Sequence, residues 1–137
     1  MENIILGFSQ VFQPLNLLVL IGGVCIGLVV GALPGLNDSI TMAILIPVTF
    51  GMSPQVAMCL LTGIYVSACY GGSLPAILLN IPGTASSVCT TLDGYPLTKQ
   101  GRAGEALGIS TVSSFFGGIM SSVILMFLAP FLARQAL

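Results

Sequence analysis

The sequence predicts an all-α membrane protein, a polytopic helix bundle with discontinuous or re-entrant helices. Three observations carry that expectation. Hydrophobic residues make up 55% of the 137-residue chain and charged residues 5%, where a soluble domain carries about a quarter of its residues as Asp, Glu, Lys or Arg. Between Glu2 and Asp93 the only charged residue is Asp38, so a stretch of about ninety residues runs with one formal charge, as chain immersed in lipid does. Pro and Gly interrupt the apolar runs at intervals too short for a simple series of complete spans.

The same composition excludes several classes. Three basic residues cannot neutralise a phosphate backbone, so no nucleic-acid partner is expected. Histidine is absent, which removes an imidazole base, a His-ligated metal and a His-assisted nucleophile. The cysteines at 25, 59, 69 and 89 form no Cys-x-x-Cys pair and read as small apolar packing residues. No cofactor is expected. Met1-Glu2-Asn3 lacks the basic start of a cleavable signal peptide, so the first helix is expected to stay in the membrane.

Taken in order, residues 4–12 form an apolar segment suited to the interface, closed by Pro14. Residues 15–33 are long enough as a helix, about 28 Å, to cross a hydrocarbon core. Pro34, Gly35, Leu36, Asn37 and Asp38 then combine turn formers with a helix cap. The next helix, residues 39–50, reaches only about 18 Å and holds Pro47, so it is expected as a half-helix that does not cross. Residues 55–80 form a second span, broken at 71–73 by Gly71, Gly72 and Ser73, with Ser73 as cap of the second piece. Residues 81–105 hold Asp93, Lys99, Arg102 and Glu105 and read as a polar loop. Its two cations against Arg134 favour a cytoplasmic position by one charge. Residues 107–132 complete a third span.

Small residues recur every fourth position on each span: Gly23, Gly27 and Gly31; Gly63, Ser67 and Gly71; Ala106, Ser110, Ser114, Gly118 and Ser122. Hydrophobic burial drives little association between helices in lipid, so such faces point to close backbone packing.

Two interruptions stand out. Residues 33–39 (Leu-Pro-Gly-Leu-Asn-Asp-Ser) and 81–87 (Ile-Pro-Gly-Thr-Ala-Ser-Ser) share an apolar-Pro-Gly opening and a seventh-place Ser, like two copies of one device. Broken helices at membrane depth need protein or a polar cavity around their freed backbone groups. Free N–H groups at a half-helix start suit a carboxylate, and unwound carbonyls suit a sodium ion. The candidate substrate and ion residues are therefore Pro34, Gly35, Asn37, Asp38, Ser39 and Thr41 in the first break, Gly71, Gly72 and Ser73 in the second span, and Asn80, Pro82, Gly83, Thr84, Ser86 and Ser87 in the second break. Asp38 is the sharpest, as an isolated ionisable group; it reads either as an N-cap or as a place for sodium or a proton. Asn80 either caps the preceding helix or turns its amide to the cavity. Asp93 and Gly94 form an Asp-Gly pair expected in a turn. No firm metal site is read.

The blocks Gly31-Ala32-Leu33-Pro34-Gly35, Leu45-Ile46-Pro47, Tyr70-Gly71-Gly72-Ser73, Leu79-Asn80-Ile81-Pro82-Gly83-Thr84 and Leu92-Asp93-Gly94-Tyr95-Pro96, in this order, resemble the N-terminal part of the large membrane subunit of tripartite tricarboxylate transporters. The resemblance implies a multi-pass subunit of the bacterial inner membrane, not an enzyme. It also implies work beside a small membrane subunit and a periplasmic solute-binding protein, importing organic carboxylates on a sodium or proton gradient. Members are several-fold longer, with a second half like an inverted repeat of the first, so the chain is expected to be one part of an inverted-repeat secondary transporter. Two readings compete: an intramembrane aspartyl protease using Asp38 and Asp93, and a structural membrane subunit with no binding site of its own.

Overall fold

A computed structural model describes residues 2–36 and 38–136; the side chains of residues 2–4, 38, 130 and 133–136 lie outside the description, as does Asn37. The described residues form seven α-helices: α1 (Glu2–Val11), α2 (Pro14–Gly31), α3 (Asp38–Thr49), α4 (Pro54–Gly71), α5 (Ser73–Leu79), α6 (Val88–Lys99) and α7 (Ala103–Ala136), with a single 3-10 turn at Ala85–Ser87. Pro14 and Pro54 each open their helix, where the missing N–H has no intrahelical partner to lose. Three stretches are long and apolar enough to cross a membrane: Pro14–Gly31, Pro54–Leu79 and Ala103–Ala129. The molecule is an all-α membrane protein.

The core is the seam between α2 and α4. A Cβ at Gly23 would lie 2.7 Å from the Leu60 carbonyl oxygen, and one at Gly27 would lie 2.8 Å from the Ile64 Cα. Gly31 meets the Ala68 backbone in the same way, while Gly71 on α4 reciprocates against the Leu28 carbonyl at 2.7 Å. The two stripes of small residues thus pack on each other, and Ser67 satisfies its hydroxyl within its own helix by donating to the Gly63 carbonyl at 2.6 Å.

Contact positions on the two helices rise together, from Gly23 beside Leu60 to Gly31 beside Ala68, so α2 and α4 run parallel. That direction has a topological consequence. Pro54 opens α4 at about the level of Leu17 on α2, so residues 32–53 must return over the depth separating Gly31 from Leu17, about 21 Å at 1.5 Å per residue. The 12-residue α3, about 18 Å long, makes up most of that return leg. At 12 residues α3 is shorter than the three stretches long enough to cross a membrane.

Two expectations change. The span 55–80 is scarcely broken at 71–73: Gly72 keeps helical dihedrals (φ −64°, ψ −21°), and its N–H still donates to the Ala68 carbonyl. Ser73 does not cap; its hydroxyl donates back to the Tyr70 carbonyl at 2.6 Å. The true break falls at Asn80, which is left-handed (φ 60°, ψ 28°) and ends α5, with the Ile81 N–H closing a bond to the Pro75 carbonyl at 3.3 Å. Asn tolerates that conformation better than most residues, which settles Asn80 as a helix C-cap.

Residues 81–105 are also not a continuous loop. Val88–Lys99 is helical and includes Asp93 and Gly94, so the Asp-Gly pair forms no turn. Packing overrides the local turn preference: Gly94 is buried where a Cβ would lie 2.8 Å from Ile77 Cγ1, letting α6 settle on α5. Thr98 ties the two helices by donating to the Ile77 carbonyl at 2.8 Å.

Candidate functional site

The chain doubles back after Asn80. Gly83 comes to rest on Gly72, its N–H donating to the Gly72 carbonyl at 3.2 Å, and a Cβ there would also lie 2.7 Å from the Gly31 carbonyl oxygen. The end of α2, the joint of α4 and α5 and the second Pro-Gly break therefore meet at one level. Thr84 and Ser87, both buried, close the next turn: the Ser87 hydroxyl accepts the Thr84 N–H at 3.1 Å and donates to the Thr84 carbonyl at 2.8 Å. The neighbouring hydroxyls of Thr84 and Ser86 stand 3.1 Å apart.

The two Pro-Gly segments are not alike. Gly35 takes φ +97° and nothing lies within 4 Å of a Cβ placed on it. Gly83 has no positive φ and is enclosed by backbone. Pro34, Gly35 and Ser39 are exposed, while Thr41 is buried at 3% exposure. Asp38 begins α3, but its side chain, like all of Asn37, lies outside the described residues.

Beyond the second break the chain leaves a cleft. α7 runs antiparallel to α4 and α5, since Ala106 lines a cavity with Ile77 while Gly118 lines one with Val66. Two cavities open between α7 and the rest. One, of about 440 Å³, is lined by Tyr70, Ser73, Ser86, Ser87, Thr90, Ser110 and Ser114, with apolar walls from Val66 and Gly117. The other, of about 430 Å³, continues from it along Thr90, Ser110 and Ser114 to Ser113 and Asp93. A hydrogen bond bridges α4 and α7 beside the first. The Tyr70 and Thr111 hydroxyls are 2.6 Å apart, and because Thr111 donates to the Leu107 carbonyl at 2.8 Å, Tyr70 is the donor between them.

Of the sequence candidates, the structure brings Gly72, Ser73, Gly83, Thr84, Ser86 and Ser87 together and places Asp93 at the far end of the same cleft. Asn80 and Pro82 are exposed and line neither of these cavities. Tyr70, Thr90, Ser110 and Ser114 also line this cleft and are not among the sequence candidates for the site. The fourfold spacing on α7, which the sequence suggests as a packing face, mostly lies open to the cleft and the surface instead. Only Ala106 is buried as packing requires; Ser110 is half-buried and Ser114, Gly118 and Ser122 are exposed.

Apolar helices of spanning length, a glycine-packed parallel seam and a hydroxyl-lined cleft beside a broken helix define a polytopic membrane protein. The family model described as "Tripartite tricarboxylate transporter TctA family" matches residues 17–137. The chain belongs to that family. It is similar to an Agrobacterium vitis protein described as "Uncharacterized 52.8 kDa protein in TAR-I ttuC' 3'region", 44% identical over 99% of this chain and 27% of that protein. It is also similar to an uncharacterized protein of Methanocaldococcus jannaschii, 29% identical over 86% of this chain and 30% of that protein. The chain thus spans under a third of the length of these curated relatives. No solved structure matches it.

Proposed function

We propose that the chain is part of the large membrane subunit of a tripartite secondary transporter that imports organic anions of the tricarboxylate and dicarboxylate type on a cation gradient. The observation that carries this reading is the family match across residues 17–137, which takes in both Pro-Gly segments, two apolar spans entire and all but the first three residues of the other. The setting is the bacterial inner membrane, beside a small membrane subunit and a periplasmic solute-binding protein. The coupling ion is sodium or a proton.

The structure supports a site in the cleft beside the second break rather than at two equivalent breaks. A carboxylate accepts hydrogen bonds, and Ser86, Thr90, Ser110 and Ser114 supply hydroxyl donors along one wall and the other. Among the described residues, no cationic side chain lines that cavity. Charge neutralisation would then come from outside these residues, by a co-transported cation or by a side chain from another part of the full protein. The first break contributes Asp38, Ser39 and Thr41 as a candidate second element of the site.

Reconstituting the full-length subunit with its small subunit and binding protein in proteoliposomes tests the proposal. Uptake of radiolabelled citrate or succinate should require all three proteins and a sodium or proton gradient. Absence of uptake of either acid by the complete, gradient-energised system would reject it.

A further inference from the structure

We propose that two adjoining cavities between α1 and the starts of α2 and α4 hold one phospholipid with a zwitterionic, primary-amine headgroup. The headgroup lies against Gln13, Asn16 and Ser53, and an acyl chain runs past Met58 and Cys59. The inference concerns the bilayer around the protein and does not depend on what the protein transports.

The cavities change in chemistry along the direction in which a lipid does. The outer one, of about 270 Å³, takes its polar lining from Gln10, Gln13, Asn16, Ser53 and Gln55. The inner one, of about 320 Å³, shares Gln10, Asn16 and Gln55 with it and gains an apolar wall of Val11, Met58 and Cys59. Gln13 and Ser53 immediately precede α2 and α4, whose first residues, Pro14 and Pro54, also open two apolar stretches of spanning length. That level is the membrane surface, where headgroups sit. Met58 stands four residues further along α4, about 6 Å deeper, so the apolar cavity lies on the acyl side of the polar one. Gly7, Gln10 and Val11 line the inner cavity from one face of α1, while Ile5, Phe8 and Phe12 are exposed on the opposite face. α1 thus rests among acyl chains, and a lipid reaches the cavity from alongside it.

Asn16 points to a guest where the two cavities join. Its side chain is buried at 4% exposure and lines both. The amide nitrogen donates to the Gln10 carbonyl at 2.7 Å, and the amide oxygen has no partner among the described residues. No fully enclosed side-chain oxygen among those residues lacks a partner, so the Asn16 oxygen opens onto the cavity. A nearly buried amide held on one side and unmet on the other is costly, and a hydrogen-bonding guest relieves that cost.

The headgroup follows from what amides offer. Each presents N–H donors and a carbonyl acceptor, which match a phosphate oxygen and a primary ammonium in turn. A choline nitrogen carries no N–H and leaves the acceptors unmet. Among the described residues no charged side chain lines either cavity, so an anionic headgroup would find no cation to offset its net charge.

Native mass spectrometry of the purified full-length protein tests this, after equilibration in detergent with equal amounts of phosphatidylethanolamine, phosphatidylcholine and phosphatidylglycerol of the same acyl chains. One phosphatidylethanolamine should be retained in preference by about two- to tenfold, the worth of one net hydrogen bond. Gln10→Ala with Gln55→Ala should abolish the preference; both side chains are exposed, so this variant should elute as the parent does on size exclusion. Asn16→Ala should act in the same way, and Gln13→Ala, also exposed, gives an independent variant should either fail to fold. Equal retention of the three lipids, a preference for phosphatidylcholine or phosphatidylglycerol, no retained lipid, or a preference unchanged in the folded variants would each overturn the site.

Discussion

Gly83 lies directly on Gly72: its N–H donates to the Gly72 carbonyl at 3.2 Å, and a Cβ on Gly83 would come within 2.7 Å of the Gly72 Cα. Thr84 repeats the closeness from the other side, its backbone nitrogen 2.9 Å from where a Gly72 Cβ would stand. The second Pro-Gly break is therefore a backbone-to-backbone joint, and the open cleft lies beside it, along α7.

The first prediction follows from that joint. Gly83→Val must push apart two stretches of backbone, neither of which can rotate away as a side chain would, and should cost about 1–3 kcal/mol or more. Gly35→Val meets nothing within 4 Å and suffers only from its φ of +97°. In full-length protein the Gly83 variant should lower the thermal midpoint in detergent more than the Gly35 variant. Equal midpoints would mean the joint does not form.

The second concerns the α2–α4 seam. Gly27 faces Ile64 and Ser67, whereas Gly22, on another face of the same helix, has nothing within 4 Å. Gly27→Leu should cost several kcal/mol or prevent assembly, since close approach is what gives small-residue seams in lipid their dispersion energy. Gly22→Ala should be neutral or stabilising by about 0.5–1 kcal/mol, the usual gain from removing glycine from a helix interior. Protection of α4 amides from hydrogen exchange is the measurement: it should fall in the first variant and hold in the second.

The third isolates the cap at Asn80. Its φ of 60° is one that glycine adopts freely and β-branched residues resist. Asn80→Gly should leave stability within about 0.5 kcal/mol of the parent, while Asn80→Val should lose roughly 1–2 kcal/mol. If Asn80 acted through its amide instead, both variants would lose it, and Asn80→Gly would melt well below the parent rather than beside it.

How much of this was legible beforehand depends on what each feature needs. The spans could be read from length and hydropathy, because a bilayer imposes both. The Gly23, Gly27, Gly31 stripe and its partner Gly63, Ser67, Gly71 could be read as packing faces, because close approach demands small residues at a fixed spacing. That these two faces meet each other in parallel could not, since direction is set by the path of residues 32–53, which carries no periodic signal. Asp93-Gly94 misled for a related reason. In isolation the pair favours a turn, but burial of Gly94 against Ile77 rewards a helix, and that contact joins residues far apart in the chain. The stripe on α7 shows the same limit: serines at fourfold spacing fit equally well against a helix or a polar cleft, and only the position of α6 decides.

The last prediction turns on the hydroxyl bridge between α4 and α7. The Tyr70 hydroxyl donates to Thr111, which in turn donates to the Leu107 carbonyl, so removing either side chain's oxygen removes the same contact. Apart from Ala106, α7 offers little buried surface to hold it in place, and this bond stands at the edge of the cleft it would open or close. Interhelical hydrogen bonds in membranes average about 0.6 kcal/mol and reach about 1.7 kcal/mol. Tyr70→Phe and Thr111→Val should therefore each cost an amount in that range, and the double variant should cost scarcely more than the worse single one, a coupling measured by a double-mutant cycle on unfolding in detergent. Strictly additive losses would show that the two hydroxyls act separately. With the coupling present, hydrogen exchange in residues 106–118 should rise in all three variants by a similar factor, because each frees the same face of α7 from the same partner.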